Sequence, residues 1–272
     1  MEATIGKSWH AALADPSGKR PEKPRLYGKT MVIDKGLGLR AFADLLETAN
    51  HHIDIIKLGF GTSALYPQPV LEQKIRLARS YDVCIMPGGT FLEIAVVKGV
   101  VKSYFRTVSE LGFTGVEISD GTINLDRKQR DDLIQRGMDH DLKVFSEFGK
   151  KLSGSAFELD LLEETVYADV ENGVEHVTIE GRESGKNVGI YDESGNCRDD
   201  YVKEIARRIP DRRLILWEAP LKSQQTHLLK LLGADIHLGN ILPEDVLSVE
   251  ALRRGLRADT MKTGAELYDY VI

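Results

Sequence analysis

The feature that most constrains this chain is a motif that recurs eight times: a short apolar run stopping abruptly in charged residues or glycine. Val177-Thr178-Ile179 runs straight into Glu180-Gly181-Arg182-Glu183. The same shape recurs at 30–36, 53–61, 83–90, 115–121, 142–151, 213–220 and 235–241. Apolar runs of this length, rich in Val and Ile, read as buried strands. Unpaired charges are too costly to bury, so the charged ends belong at the mouth of a sheet, beyond the carboxyl ends of its strands. Helical spacing fills the intervals at 37–49, from Pro69 onward, from the third run through Leu111, and at 126–140, 159–172, 200–208, 222–232 and 243–257. Eight strand-then-helix units, with strand starts roughly 22 to 37 residues apart, predict a single α/β domain, a (β/α)8 TIM barrel. A doubly wound sheet competes. It usually has fewer strands, and Gly36-Leu37-Gly38 lacks the third glycine of a dinucleotide fingerprint. Residues 1–24, with Trp9, Leu13 and three prolines, read as a short N-terminal extension covering one end of a barrel domain at 25–272.

Composition bounds the partners. The 272 residues carry a net charge of -6, which argues against a general nucleic-acid binder. No apolar run approaches a membrane span or a signal core. Cys84 and Cys197 lack metal-ligand spacing, so a reduced, cytoplasmic protein is expected.

On a barrel all eight strand ends face one bowl. That places Asp34, Lys35, Lys57, Gly88, Gly89, Thr90, Glu117, Ser119, Asp120, Glu147, Lys150, Lys151, Glu180, Arg182, Glu183, Glu218, His237 and Asn240 around a common space. The bases suit an anionic substrate. The acids suit a hard cation such as Mg2+, which takes oxygen ligands. Plainer readings stand beside these. Lys57 could pair structurally with Asp34 or Glu117, and Gly88-Gly89 could be only a tight turn. Lys150 and Lys151 are neighbours, so at most one should face a ligand. A lone His237 is more often structural, and Arg253, Arg254 and Arg257 read as a solvated helix face. The residues alone reach a barrel enzyme acting on a small anion with a divalent metal.

Taken together, the strand mouths resemble the phosphosulfolactate synthase family. The matching stretches are Asp34-Lys35-Gly36, Lys57-Leu58-Gly59-Phe60-Gly61, Pro87-Gly88-Gly89-Thr90, Glu117-Ile118-Ser119-Asp120-Gly121, Glu147-Phe148-Gly149-Lys150-Lys151, Glu180-Gly181-Arg182-Glu183-Ser184-Gly185-Lys186, Glu218-Ala219-Pro220 and Leu252-Arg253-Arg254-Gly255. The resemblance implies Mg2+-dependent addition of sulfite to phosphoenolpyruvate, giving (2R)-phospho-3-sulfolactate, by a homo-oligomer. It also implies Lys151 as the general acid. Glu147, Glu180 and Glu218 are then the expected metal ligands. Lys35, Lys57, Arg182, Gly88, Gly89 and Asn240 are expected to meet the substrates. Two alternatives remain at this point: a non-catalytic relative acting in stress tolerance or interaction, and a barrel aldolase using a Schiff-base lysine.

Overall fold

The computed structural model describes residues 9–150 and 158–261. Its strands are β1 (Thr30–Asp34), β2 (Ile55–Leu58), β3 (Cys84–Pro87), β4 (Gly115–Ile118), β5 (Lys143–Phe148), β6 (Val177–Ile179), β7 (Ile215–Glu218) and β8 (His237–Ile241). They form one eight-stranded sheet in the order β3-β2-β1-β8-β7-β6-β5-β4, and every laddered pair is parallel. The two outer strands meet: the Thr114 N–H donates to Ile85 O at 3.1 Å, and the Ile85 N–H donates to Thr114 Oγ1 at 3.0 Å. The sheet thus closes into a (β/α)8 barrel, as the repeated motif predicts.

Around it run α1 (Ala11–Ala14), α2 (Leu39–Ala49), α3 (Gln68–Ser80), α4 (Gly89–Val97), α5 (Val101–Leu111), α6 (Arg127–Asp139), α7 (Leu159–Glu171), α8 (Asp199–Arg208), α9 (Lys222–Leu232) and α10 (Val246–Arg253). Local chemistry sets several ends. Asp126 and Gln129 form a reciprocal capping box that starts α6. Pro69 sits in the first turn of α3. The stretch after β3 is not one helix, because Gly99 adopts a left-handed φ of 68° and separates α4 from α5.

Side chains two residues apart on a strand share a face, and the barrel interior is layered accordingly. Its floor is apolar: Met31, Ile55, Cys84, Met86, Phe145 and Leu216 form a buried cluster separate from the one under the helices. Gly115 and Gly239 make room for it. A Cβ at Gly239 would lie 2.3 Å from Leu216 Cδ2, and one at Gly115 2.9 Å from Cys84 Sγ.

The amino-end face is locked by ion pairs. Arg20 Nε donates to both Glu250 oxygens at 3.1 Å, Arg25 pairs with Asp54 at 3.1 Å, and the Gly28 N–H donates to Asp235 O at 2.7 Å. The segment leading into β1 therefore packs against this end. Arg253 corrects the reading of a solvated α10 face. It is fully buried and donates to the carbonyls of Ala234, Ile236 and Lys29. Those carbonyls sit just before β8 and β1, where only a long, multidentate donor reaches all three.

His237 also belongs here, at the start of β8 and not at the mouth. Its Nδ1 accepts from the Lys29 N–H at 3.0 Å, and its ring lies 5.6 Å from that of His176, which packs on Phe145. Burial, with Lys29 and Arg253 nearby, pushes the His237 imidazole down to about 3. Burial and His237 push His176 well below its ordinary value. Both rings stay neutral in the folded protein while the unfolded chain takes up protons below about pH 6.5. Stability is thus unaffected by these groups above that pH and falls below it, by up to about 1.4 kcal/mol per pH unit for each histidine. Urea unfolding should show a lower midpoint at pH 5.5 than at pH 7.5, and His176→Leu should shrink the difference. Equal midpoints for the wild type would count against this.

Candidate active site

The carboxyl ends of the strands open on a cavity of about 310 Å³. Its base is the layer directly above the apolar floor: Lys57 above Ile55, Glu117 above Gly115, Glu147 above Phe145 and Glu218 above Leu216. Lys57 Nζ lies 2.9 Å from Glu218 Oε1, 3.1 Å from Glu117 Oε1 and 3.9 Å from Glu147 Oε2. Burial alone would lower its pKa, but Glu117, Glu218 and Glu147 outweigh that and hold the ammonium well above its ordinary value. The three carboxylates thus favour the charged form of Lys57. The structural pairing with Glu117 is present. The alternative with Asp34 is not, because Asp34 is held by Lys74 of α3 at 2.5 Å and by the Gly36 and Leu37 amides.

Glu147, Glu180 and Glu218 come together. Each places an oxygen within 4.8 Å of the other two, and none is more than 3% exposed. Three buried carboxylates from neighbouring strand ends fit a hard divalent cation. The charge balance points the same way. Among the described residues, Glu117, Glu147, Glu180, Glu183 and Glu218 line the cavity against only Lys57 and Arg182. A cation held among these carboxylates would offset their charge.

The glycines line the cavity, but their amides are spent. The Gly88 N–H donates to Leu58 O at 2.9 Å and the Gly89 N–H to Glu117 Oε2 at 2.8 Å. Their role here is room: a Cβ at Gly88 would lie 2.9 Å from Phe60 N, and one at Gly89 2.6 Å from Ser119 Cβ. Arg182 and Asn240 line the opposite wall. Phe60, Arg182 and Asn240 all take left-handed φ values, 57°, 56° and 53°, so three strained residues border one cavity. Asn240 Oδ1 is buried with no hydrogen-bond partner among the described residues, while its Nδ2 lies 3.5 Å from Arg182 O.

Other expected site residues sit elsewhere. Lys35 is exposed at the rim, 3.4 Å from Glu183, and does not line the cavity. Asp120 turns toward Arg130 and Lys150. Lys150 Nζ is anchored to Asp120 O at 2.7 Å and Ile123 O at 2.8 Å, which takes it out of the bowl. Lys151 lies outside the described residues. A larger surface depression, about 620 Å³ between α7 and α8, lies away from the strand ends and is bordered by the paired Arg208 and Glu204.

Glu93 and Lys74 are among the buried charges that the sequence does not single out. Glu93 is 1% exposed on α4, and its carboxylate accepts from the Gly121 N–H and the Thr122 N–H, both at 3.0 Å. Lys74 sits on the buried stripe of α3. The signal was available in both cases: a single charge at an apolar position of a helix must find a partner inside.

The family model described as (2R)-phospho-3-sulfolactate synthase (ComA) matches residues 18–259. The chain belongs to this family. A phosphosulfolactate synthase of Methanothermobacter thermautotrophicus is 43% identical over 244 residues, 89% of this chain and 94% of that one. One from Methanocaldococcus jannaschii is 36% identical, covering 86% and 93%. Among solved structures, an N-acetylneuraminate lyase of Fusobacterium nucleatum superposes with a TM-score of 0.54 at 10% identity, covering 90% of this chain and 80% of that one. That likeness concerns the barrel alone. Within the phosphosulfolactate synthase family, the three-glutamate cluster is the feature of this chain with the most chemical content.

Proposed function

We propose that this protein adds sulfite to phosphoenolpyruvate with the help of Mg2+, giving (2R)-phospho-3-sulfolactate. Family membership supports the reaction. The observation that carries the metal is the convergence of Glu147, Glu180 and Glu218 within 4.8 Å. When bound there, Mg2+ supplies positive charge for the substrate carboxylate, where negative charge gathers during the reaction.

The chain's own residues account for the rest. Sulfite attacks the methylene carbon, the double-bond electrons move toward the carboxylate, and a proton is added at the central carbon. Lys57 contributes positive charge beneath the reacting carbons. Arg182 on the wall meets phosphate or sulfite, and Asn240 offers a polar contact beside it. Lys151 delivers the proton, from one face, which sets the R configuration.

Of the two lysines that could serve the aldolase alternative, Lys57 and Lys151, Lys57 is a poor candidate. A Schiff base needs a neutral amine, and three carboxylates hold this one charged. The non-catalytic alternative would tolerate loss of the bowl charges, yet Lys57, Glu147, Glu180, Arg182 and Glu218 all line the cavity. Cys84 and Cys197 are free thiols, which suits a reducing cytoplasm. No helix among the described residues is long and apolar enough to cross a membrane.

The reaction test is consumption of phosphoenolpyruvate in the presence of sulfite and Mg2+, with a chelator as control. Loss of substrate that stops on chelation is expected. Consumption unaffected by chelator would remove the metal from the reading.

The family's homo-oligomer finds support in α4, whose outward Ile94 and Val97 are 47% and 67% exposed on an otherwise apolar helix. Light scattering should give a multiple of the chain mass, reduced by Val97→Glu. A wild-type monomer would refute it.

A further inference from the structure

We propose that Glu93, acting through Ser119, is a positioning residue for the carboxylate of Glu147. The inference rests on the metal reading above. Ser119 Oγ lies 2.5 Å from Glu93 Oε1 and 2.8 Å from Glu147 Oε1. A hydroxyl has one proton and can serve only one carboxylate at a time. Glu93 has other donors: the Gly121 N–H on Oε1, and the Thr122 N–H and hydroxyl on Oε2. The Ser119 proton is therefore available to Glu147 Oε1. That hydrogen bond fixes the carboxylate plane and leaves Oε2 on the side of Lys57.

Glu93 thus does two things. It anchors the turn after β4, which carries Thr122 into the cavity wall, and through the Gly121 N–H, which reaches both Glu93 Oε1 at 3.0 Å and Ser119 Oγ at 3.3 Å, it sets the position of the hydroxyl that orients a metal ligand. Outer partners of this kind fix ligand geometry, and their loss typically costs about 10–100-fold in metal affinity. The arrangement also explains why an apolar helix carries one buried acid facing the strand ends.

The test is direct Mn2+ binding, followed by electron paramagnetic resonance of the free ion, on the wild type, Glu147→Gln, Ser119→Ala and Glu93→Gln. Ser119→Ala and Glu93→Gln should each weaken binding by about 10–100-fold. The Mg2+ concentration for half-maximal turnover should rise by a similar factor, with kcat recovering at saturating Mg2+. A role limited to folding would instead lower kcat at every Mg2+ concentration, and that result would overturn the inference. Near-wild-type Mn2+ affinity in both variants, with affinity lost in Glu147→Gln, would also overturn it while leaving the metal reading intact. A wild type that binds no Mn2+ would overturn both. Ser119→Ala removes a single oxygen, so it answers the question even if Glu93→Gln does not fold.

Discussion

Lys57→Met is expected to destabilise the folded protein by about 3–5 kcal/mol, because removing one partner of a buried ionic cluster strands the others. Lys57 Nζ is within 3.1 Å of two carboxylates and 3.9 Å of a third, and all of them are buried. Methionine fills a similar volume but leaves Glu117, Glu147 and Glu218 to repel one another in a poorly solvated space. The expected pattern in urea unfolding is a lower midpoint with an unchanged slope. Mg2+ should restore part of the loss, because a dication bound to the folded state stabilises it and not the unfolded chain. A variant within about 1 kcal/mol of the wild type would mean the cluster is solvated or shares protons, contrary to the account.

Lys151→Ala is expected to behave in the opposite way. As the proposed general acid it should contribute on the order of 10²–10⁴ in kcat, and its loss should leave the urea midpoint near that of the wild type. Its neighbour gives the contrast. Lys150 is tied to Asp120 and Ile123, so Lys150→Ala should perturb the loop and stability more than the proton transfer itself. Near-normal turnover in Lys151→Ala would remove the assignment. So would a loss of activity that merely tracks a loss of folded protein.

The barrel was legible because strand ends advertise themselves: an apolar run cannot continue into Glu180-Gly181-Arg182 and remain core. The charged layer was legible for the same reason, since Lys57, Glu117, Glu147 and Glu218 each stand two residues past a floor position. The three metal candidates could be named from their strand ends, and they converge. What the sequence did not show is which way a charge turns once the barrel closes. Asp34 and Asp120 stand at strand mouths like Glu147, yet their partners Lys74 and Arg130 come from helices outside the barrel. Arg253 departs from a solvated helix face because helical position alone does not reveal the buried carbonyls at Ala234 and Ile236 that it satisfies. His237, which the sequence groups with the strand mouths, opens β8 at the opposite end.

The most direct test of the proposed reaction is phosphorus NMR of the purified protein with phosphoenolpyruvate, sulfite and Mg2+. The enol phosphate resonance is expected to be replaced by a phosphate ester coupled to one C–H proton, a conversion that requires all three additions. Glu147→Gln and Glu180→Gln are expected to show little conversion. Persistence of the phosphoenolpyruvate signal, or its replacement by inorganic phosphate, would contradict the proposed reaction.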